Sequence, residues 1–168
     1  VRTHAAADDN EPLRRAAGGG HLAIVNRLLE IAEVKTHAAA DNNMALRKAA
    51  INGHLEVVNR LLEIEAVIEN AAADDNYALT WAAENGHLEV VNRLLEIAEV
   101  RTHAAADDNE PLRGAAGGGH LAIVNRLLEI EAVIENAAAA DNGALRRAAL
   151  NGHLEVVNRL LEIEAVIE

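Results

Sequence analysis

The chain has 168 residues, a formal net charge of −12 and no cysteine, and it is 51% hydrophobic but only 1% aromatic. The acidic balance argues against nucleic acid and against anionic membrane as partners, because both attract basic proteins. It mildly favours a basic protein partner. The lack of cysteine excludes disulfides and thiolate metal sites, and no apolar run has the length of a membrane span.

The dominant feature of the sequence is a period of 33 residues, with Ala5, Ala38, Ala71, Ala104 and Ala137 opening successive copies. A fixed period of this length is typical of stacked repeats, in which each unit buries its apolar side on its neighbours. We therefore predict a single repeat domain over residues 1–168. It comprises a partial repeat at 1–4 and five repeats at 5–37, 38–70, 71–103, 104–136 and 137–168.

The first predicted helix of each repeat is illustrated by repeat two. Asn43 precedes Met44-Ala45-Leu46 and is predicted to be the N-cap. The helix runs to about Ile51 and ends at Asn52-Gly53, where Gly53 can take the left-handed conformation. Leu46, Ala49 and Ala50 form its predicted buried stripe.

The second predicted helix runs from about His54 to Ile64. Val57, Val58, Leu61 and Leu62 recur at helical spacing and are expected to face the core. The following stretch, 65–72, has no Gly or Pro and is rich in Ala, Glu and Ile. It predicts a short third helix or helical turn, with a strand at Val67-Ile68 as the alternative.

These features resemble the ankyrin repeat family over essentially the whole chain. The resemblance rests on the period, on Ala49-Ala50, on Gly53-His54-Leu55-Glu56-Val57-Val58 and on Leu61-Leu62-Glu63. It implies an all-α solenoid of helix-turn-helix units and a protein-interaction role, with the first helices lining a concave binding surface.

Two departures from the family pattern affect the expected fold. The Thr-Pro-Leu-His start appears as Glu11-Pro12-Leu13-Arg14 or Tyr77-Ala78-Leu79-Thr80, and the Gly-Ala-Asp-Val-Asn hairpin is replaced by Glu65-Ala66-Val67-Ile68-Glu69. We therefore predict a variant in which a short third helix replaces the β-hairpin, as in ankyrin-rich proteins of intracellular bacteria.

The sequence also has a second, longer period of 99 residues, which comprises three of the 33-residue repeats. Residues 1–31 match residues 100–130 except for Arg15 against Gly114. Duplication in a natural array and reuse of modules by a designer are both compatible with this copy. The chain also starts and stops inside a repeat without a polar capping unit, so we expect a cut from a longer array or missing caps. Exposed apolar ends predict end-to-end self-association.

Variation among the repeats is concentrated on one face of the first helix. The varying sets are Glu11, Met44, Tyr77, Glu110, Gly143; Arg15, Lys48, Trp81, Gly114, Arg147; and Gly18, Ile51, Glu84, Gly117, Leu150. The i, i+4, i+7 spacing places each repeat's three on a single face. Drift at exposed positions is the alternative explanation, although Asn59, Arg60 and Glu63 of the second helix have identical counterparts in every copy.

This face is the predicted partner-binding site, centred on repeat three. Aromatic residues and Met are enriched in the cores of protein interfaces. Trp81 could instead pack between repeats. Arg14, Arg47, Arg113 and Arg146 are expected to form a partly basic rim. The predicted site residues are Met44, Arg47, Lys48, Ile51, Tyr77, Thr80, Trp81 and Glu84.

Catalysis, metals and cofactors are not indicated. The recurring histidines His21, His54, His87, His120 and His153 lie one repeat apart, too far to share an ion, and we expect them to bond backbone across repeats. The Asp8-Asp9 and Asp74-Asp75 pairs lack the alternating ligands of a calcium loop. The chain contains neither Ser nor Cys, so the usual nucleophiles are missing.

The sequence thus predicts a non-catalytic scaffold that binds a protein partner through the variable face of the first helix. The alternative is a designed or structural repeat protein with no natural partner, prone to end-to-end association. We expect a cytoplasmic location, or the host cytosol for a bacterial effector. The identity of the partner does not follow from the sequence.

Overall fold

The computed structural model describes residues 7–167, and within that range its regular structure consists of helices alone. Each repeat consists, in chain order, of a first helix that we call the inner helix, a second helix that we call the outer helix, and a short third helix. In chain order these are α1 (Ala7–Gly18), α2 (Leu22–Leu29), α3 (Ala32–Thr36), α4 (Ala40–Ile51), α5 (Leu55–Leu61), α6 (Glu65–Glu69), α7 (Ala73–Glu84), α8 (Leu88–Leu95), α9 (Ala98–Thr102), α10 (Ala106–Gly117), α11 (Leu121–Leu127), α12 (Glu131–Glu135), α13 (Ala139–Leu150), α14 (Leu154–Leu160) and α15 (Glu164–Ile167).

The third helix settles one of the alternatives left open by the sequence. Residues Glu65–Glu69 form helix α6, entered through Ile64 in an extended conformation, so the strand at Val67-Ile68 is wrong. The side chain of Val67, which belongs to this helix, is fully buried. The all-helical variant of the solenoid is therefore confirmed.

The inner helix begins differently from the prediction. In α4, Asp41, Asn42 and Asn43 have left-handed backbone angles, with φ between 52° and 61°. Asn and Asp tolerate this conformation better than other residues with a Cβ atom. The N-cap prediction for Asn43 was wrong, because its side-chain oxygen accepts no hydrogen bond from the helix. Its buried amide nitrogen donates to the carbonyl oxygen of Val67 at 2.7 Å.

The outer helix ends earlier than predicted, at Leu61 rather than near Ile64. A tight turn follows, in which the amide of Ile64 donates to the carbonyl of Leu61 at 3.1 Å. The prediction for Gly53 holds, since its φ is +71°. A Cβ at this glycine would also collide with the ring of His87 in the next repeat.

The core runs along the stack between the inner and outer helices. Inner helices contact one another in the order α1, α4, α7, α10 and α13, and outer helices in the order α2, α5, α8, α11 and α14. Leu13, Leu46, Leu79 and Leu112 occupy equivalent positions and are each 0% exposed. One face of the inner helices and one face of the outer helices are therefore not covered by other elements along the described repeats.

A search of the described helices for a membrane span finds none with the necessary length and apolar character.

Candidate binding face

The eight residues predicted to bind a partner lie on two neighbouring helices. Four are on α4 (Met44, Arg47, Lys48, Ile51) and four on α7 (Tyr77, Thr80, Trp81, Glu84), and these helices contact each other. Lys48 and Glu84 are exposed, whereas the aromatic pair is half-buried. Thr80 differs from the others, because only 8% of its surface is exposed. The structure thus brings the eight together on one face.

The aromatic pair forms the centre of this face. The ring centroids of Tyr77 and Trp81 are 5.5 Å apart, with their planes tilted by 41°. This separation lies in the range in which aromatic rings attract each other. The guanidinium of Arg47 sits 4.0 Å from the centroid of the Tyr77 ring, so one face of that ring is already covered.

Repeats two and three meet at a set of polar groups in which both carboxylate oxygens of Asp74 are bonded, and we call this set the closed junction (Asn42, Arg47, Asp74). Arg47 donates to the carboxylate of Asp74 at 2.5 Å. The side-chain amide of Asn42 donates to the other oxygen of the same carboxylate at 3.1 Å. Asp74 therefore receives one charged and one neutral donor from the preceding repeat.

Repeats three and four meet at a different set, which we call the open junction (Asp75, Thr80, Asp107). In the repeat register Asp75 replaces Asn42, Thr80 replaces Arg47 and Asp107 replaces Asp74. Within residues 7–167, no hydrogen bond or ion pair reaches the carboxylate of Asp75 or of Asp107. Both residues line a pocket of about 330 Å³ that Tyr77, Trp81 and Glu84 also line.

A further carboxylate at the same pocket is neutralised by the chain itself. Glu110 pairs with Arg113 at 2.6 Å and with Arg147 at 2.7 Å. The repeat register would pair Arg113 with position 140, but this residue is alanine and carries no charge. Arg113 pairs with Glu110 instead.

The arginines predicted to form a basic rim are largely used inside the array. Arg14 pairs with Asp41 at 2.8 Å, Arg47 with Asp74 and Arg113 with Glu110. Each of these positive charges is neutralised by the carboxylate paired with it, so the rim attracts an acidic partner only weakly. The face as a whole is acidic around the aromatic pair.

Three polar positions of the outer helices and the turns after them are identical in every copy. Arg60 donates through Nε to Asn26 of the preceding repeat at 2.8 Å and through Nη1 to Glu63 at 2.7 Å. Equivalent bonds join Arg93 to Asn59 and Arg126 to Asn92. The Asn and Arg of this set therefore link neighbouring repeats, and Glu63 holds the arginine within its own repeat.

The recurring histidines have the structural role expected of them. A ring nitrogen of His54 lies 3.1 Å from the carbonyl oxygen of Gly18, and His87, His120 and His153 make the same contact with Ile51, Glu84 and Gly117. Each ring therefore bonds backbone of the preceding repeat. Among residues 7–167 no group of three His, Asp or Glu side chains is arranged to hold a metal ion. His4 and the Asp8-Asp9 pair lie outside the described side chains.

Sequence reasoning missed three residues of this face: Asp75, Asp107 and Glu110. Glu110 belongs to one of the varying sets, whereas Asp75 and Asp107 match the aspartates of most other repeats and gave no such signal. The pairing of position 47 with position 74 in the next repeat was not visible from the sequence. That pairing spans 27 residues and follows from the stacking geometry. Once it is known, Thr80 marks the open junction, because the other four repeats have Arg at this position, whereas Asp at the position of Asp75 is shared by every repeat except the second.

Comparison with protein families supports this architecture. A family model described as ankyrin repeats (3 copies) matches residues 13–104 and again residues 79–168. The chain belongs to the ankyrin repeat family. Ankyrin repeats generally mediate protein–protein interaction, and the family is typically non-catalytic. A comparison with curated proteins gives no significant match.

Proposed function

We propose that the chain is a non-catalytic interaction scaffold that binds a protein partner through the inner face of repeats two and three. The observation that carries this proposal is the half-buried pair Tyr77 and Trp81 on that face. They are the only aromatic residues in the chain. Large aromatic side chains that retain accessible surface are the groups most often found at the centre of protein interfaces. A cytoplasmic location remains our prediction for the compartment.

The energy available at this face is sufficient for specific binding. A Trp side chain buries about 150–250 Å² when fully enclosed, and a half-buried one has roughly half of that left to bury. At about 25 cal/mol per Å² the remaining area contributes on the order of 2–3 kcal/mol. Tyr77 and Met44 add to this, and association costs reduce the total.

Peptide display provides a direct test of the proposal. A random peptide library is selected on the immobilised chain, and each enriched peptide is then measured against a variant with Tyr77→Met and Trp81→Lys. Both replacements come from the equivalent positions of repeat two, so the fold already accommodates them. The control is Glu56→Ala on α5, which changes the net charge by the same amount on the opposite face.

The proposal predicts that the double variant weakens most enriched peptides at least tenfold while Glu56→Ala leaves them unchanged. Thermal melts of both variants check that the fold is intact. Peptides that bind wild type and the double variant equally would contradict the proposed binding face.

A second candidate function is end-to-end association of an array without a natural partner. The observation in its favour is a set of exposed apolar side chains on α13 to α15: Leu150 is 85% exposed, Leu154 68% and Ile167 64%. At the other end Ile24 is 52% exposed, whereas its counterpart Val57 is 1% exposed between two repeats. A contact between these unlike faces would propagate rather than close.

Sedimentation at several concentrations distinguishes this candidate. Leu154→Lys should abolish association if these faces meet, whereas Ile68→Lys, on a mid-array helix and 38% exposed in wild type, should leave it unchanged. A monomer at every concentration would exclude this function.

A further inference from the structure

The array has a recurring ion pair whose cation is missing at one junction. An arginine of one inner helix pairs with an aspartate 27 residues further on, at Arg14–Asp41 and at Arg47–Asp74. The third member of the series is Thr80 with Asp107. The acid is kept there and the arginine of the preceding repeat is absent. Arg113 donates to the main-chain oxygen of Asp107 at 3.3 Å and makes no bond to its carboxylate.

The second donor is lost at the same place. Asn42 donates its amide to Asp74 in the closed junction, and the register replaces it with Asp75 in the open junction. Asp107 has therefore exchanged one cation and one amide donor for a second carboxylate. Like charges brought together repel, and a cation placed between them relieves that repulsion.

Thr80 adds an independent sign that the position is built for a donor and left unfilled. It is only 8% exposed, and it lines the same pocket as Asp75 and Asp107. In the described part of the chain its hydroxyl takes part in no hydrogen bond, whereas Thr36 and Thr102 donate theirs to the backbone of their own helices. The Thr80 side chain as a whole is therefore more than nine-tenths buried and lies beside the two carboxylates without a hydrogen-bond partner among the described residues.

The lining of the pocket favours a guanidinium over an ammonium. Tyr77 and Trp81 supply aromatic surface beside the carboxylates. A planar guanidinium stacks on aromatic rings and donates two parallel hydrogen bonds to a carboxylate, which the compact ammonium of lysine does not. Arg47 gives an example of such a contact within the chain, because it lies against Tyr77 while it pairs with Asp74. At the open junction the counterpart of Tyr77 is Glu110, so the aromatic surface there comes from Tyr77 and Trp81 on the preceding helix.

We propose that the open junction is a receptor for an arginine side chain of the protein partner, which takes the place that Arg47 occupies one repeat earlier. The partner's guanidinium bonds the Asp107 carboxylate, with Asp75 beside it and the aromatic pair against its flank. This inference rests on the proposed function and specifies the partner segment as basic and arginine-bearing.

The test uses the tripeptide Ac-Gly-Arg-Gly-NH2 as the probe. It is titrated at constant ionic strength into the full chain, and binding is read from the backbone amide of Asp107 and from the indole N–H of Trp81, the single tryptophan. We expect half-saturation on the order of 10 mM, as befits one buried contact. The lysine tripeptide should bind several-fold more weakly, and the uncharged citrulline analogue at least tenfold more weakly.

Two arginine variants separate site binding from general attraction to an acidic protein. Thr80→Arg fills the position from within and should weaken the probe at least tenfold. Thr36→Arg adds the same charge in repeat one and should leave binding within a factor of two of wild type. Asp107→Asn provides a second route to the same loss without adding a large side chain.

Loss of binding in Thr80→Arg and Asp107→Asn but not in Thr36→Arg supports the receptor. Equal losses in both arginine variants, equal binding of the citrulline analogue, or no response at Asp107 would overturn it. Failure here leaves the proposed function testable, since displayed peptides that depend on Trp81 but lack arginine would support the scaffold and reject the receptor. Peptides that ignore Trp81 would reject the scaffold itself.

Discussion

The closed junction and the open junction rest on the same core and differ only at the surface. Leu46 and Leu79 lie under the two junctions and are both 0% exposed. Above them, Asp74 receives two donors from repeat two, whereas Asp107 receives none from repeat three. Two changes of side chain, Asn42 to Asp75 and Arg47 to Thr80, account for the difference.

The comparison shows how a repeat array acquires a site without disturbing its fold. In a stack, each unit contributes its apolar side chains to the core and its polar ones to the junctions. A junction can therefore lose an ion pair between repeats at a cost of about 0–1 kcal/mol when one partner reaches solvent, as Asp74 does with 43% of its side chain exposed. What remains is a charged group at a defined position, available to another molecule.

The largest effect we predict tests whether the two cores are equivalent. Leu46→Ala and Leu79→Ala should each lower the free energy of unfolding by about 2–5 kcal/mol, because each empties a fully buried site. The two losses, measured by denaturant titration, should agree to within about 1 kcal/mol. A much smaller loss for Leu79→Ala would mean that the open junction is also loosely packed.

The next prediction concerns the left-handed turn that precedes each inner helix. Ala140 has a φ of 52° at the position that Asp occupies in repeats two, three and four. Replacement by Gly should stabilise the chain by about 1–2 kcal/mol, since Gly carries no Cβ penalty in this conformation. Ala139→Gly is the control, and it should destabilise by about 0.5–1 kcal/mol. Thermal melts showing the same sign for both would contradict the left-handed assignment.

Removing the aspartate should destabilise the closed junction and leave the stability of the open junction unchanged. Asp74→Asn leaves Arg47 without its counter-charge and should cost about 1 kcal/mol of unfolding free energy. Asp107→Asn removes an unpaired negative charge next to Asp75 and should cost nothing measurable or stabilise slightly, since Asn tolerates the left-handed backbone at both positions as Asp does. Equal costs in urea titrations would show that Asp107 has a donor in solution.

The smallest predicted effect is the gain from closing the open junction. Thr80→Arg restores the register pair with Asp107 and should add about 0.5 kcal/mol at low salt, which added salt should remove. Thr36→Arg changes the net charge equally and serves as the reference. A destabilising Thr80→Arg would mean that the position has no room for the guanidinium.

Much of the fold was predictable from the sequence, because the 33-residue period, the helical spacing of Leu and Val and Gly53 are local signals. The third helix followed from the absence of Gly and Pro in 65–72. The left-handed turn at Asp41 was not predicted, since Asp and Asn serve equally well as helix caps.

The candidate site was predicted only in part. The variable face placed Tyr77 and Trp81 together through their spacing on one helix. Asp107 escaped notice because its significance depends on a contact between residues 27 positions apart, which is set by how the repeats stack. Thr80 was predicted to contact the partner directly. Because it is buried, we instead expect it to act by leaving room for a guanidinium beside Asp107.

The most direct test of the account exchanges the two junctions within one chain. A variant with Asn42→Asp, Arg47→Thr, Asp75→Asn and Thr80→Arg has the same composition and net charge as wild type, and Tyr77 and Trp81 are untouched. The arginine tripeptide is titrated into both proteins, and the backbone amides of Asp74 and Asp107 are followed by NMR. Asp74 also lines the pocket of the open junction, so the account predicts that the larger response is at Asp107 in wild type and at Asp74 in the exchanged chain. A response that stays at Asp107, or that is the same at both positions in both proteins, would contradict it.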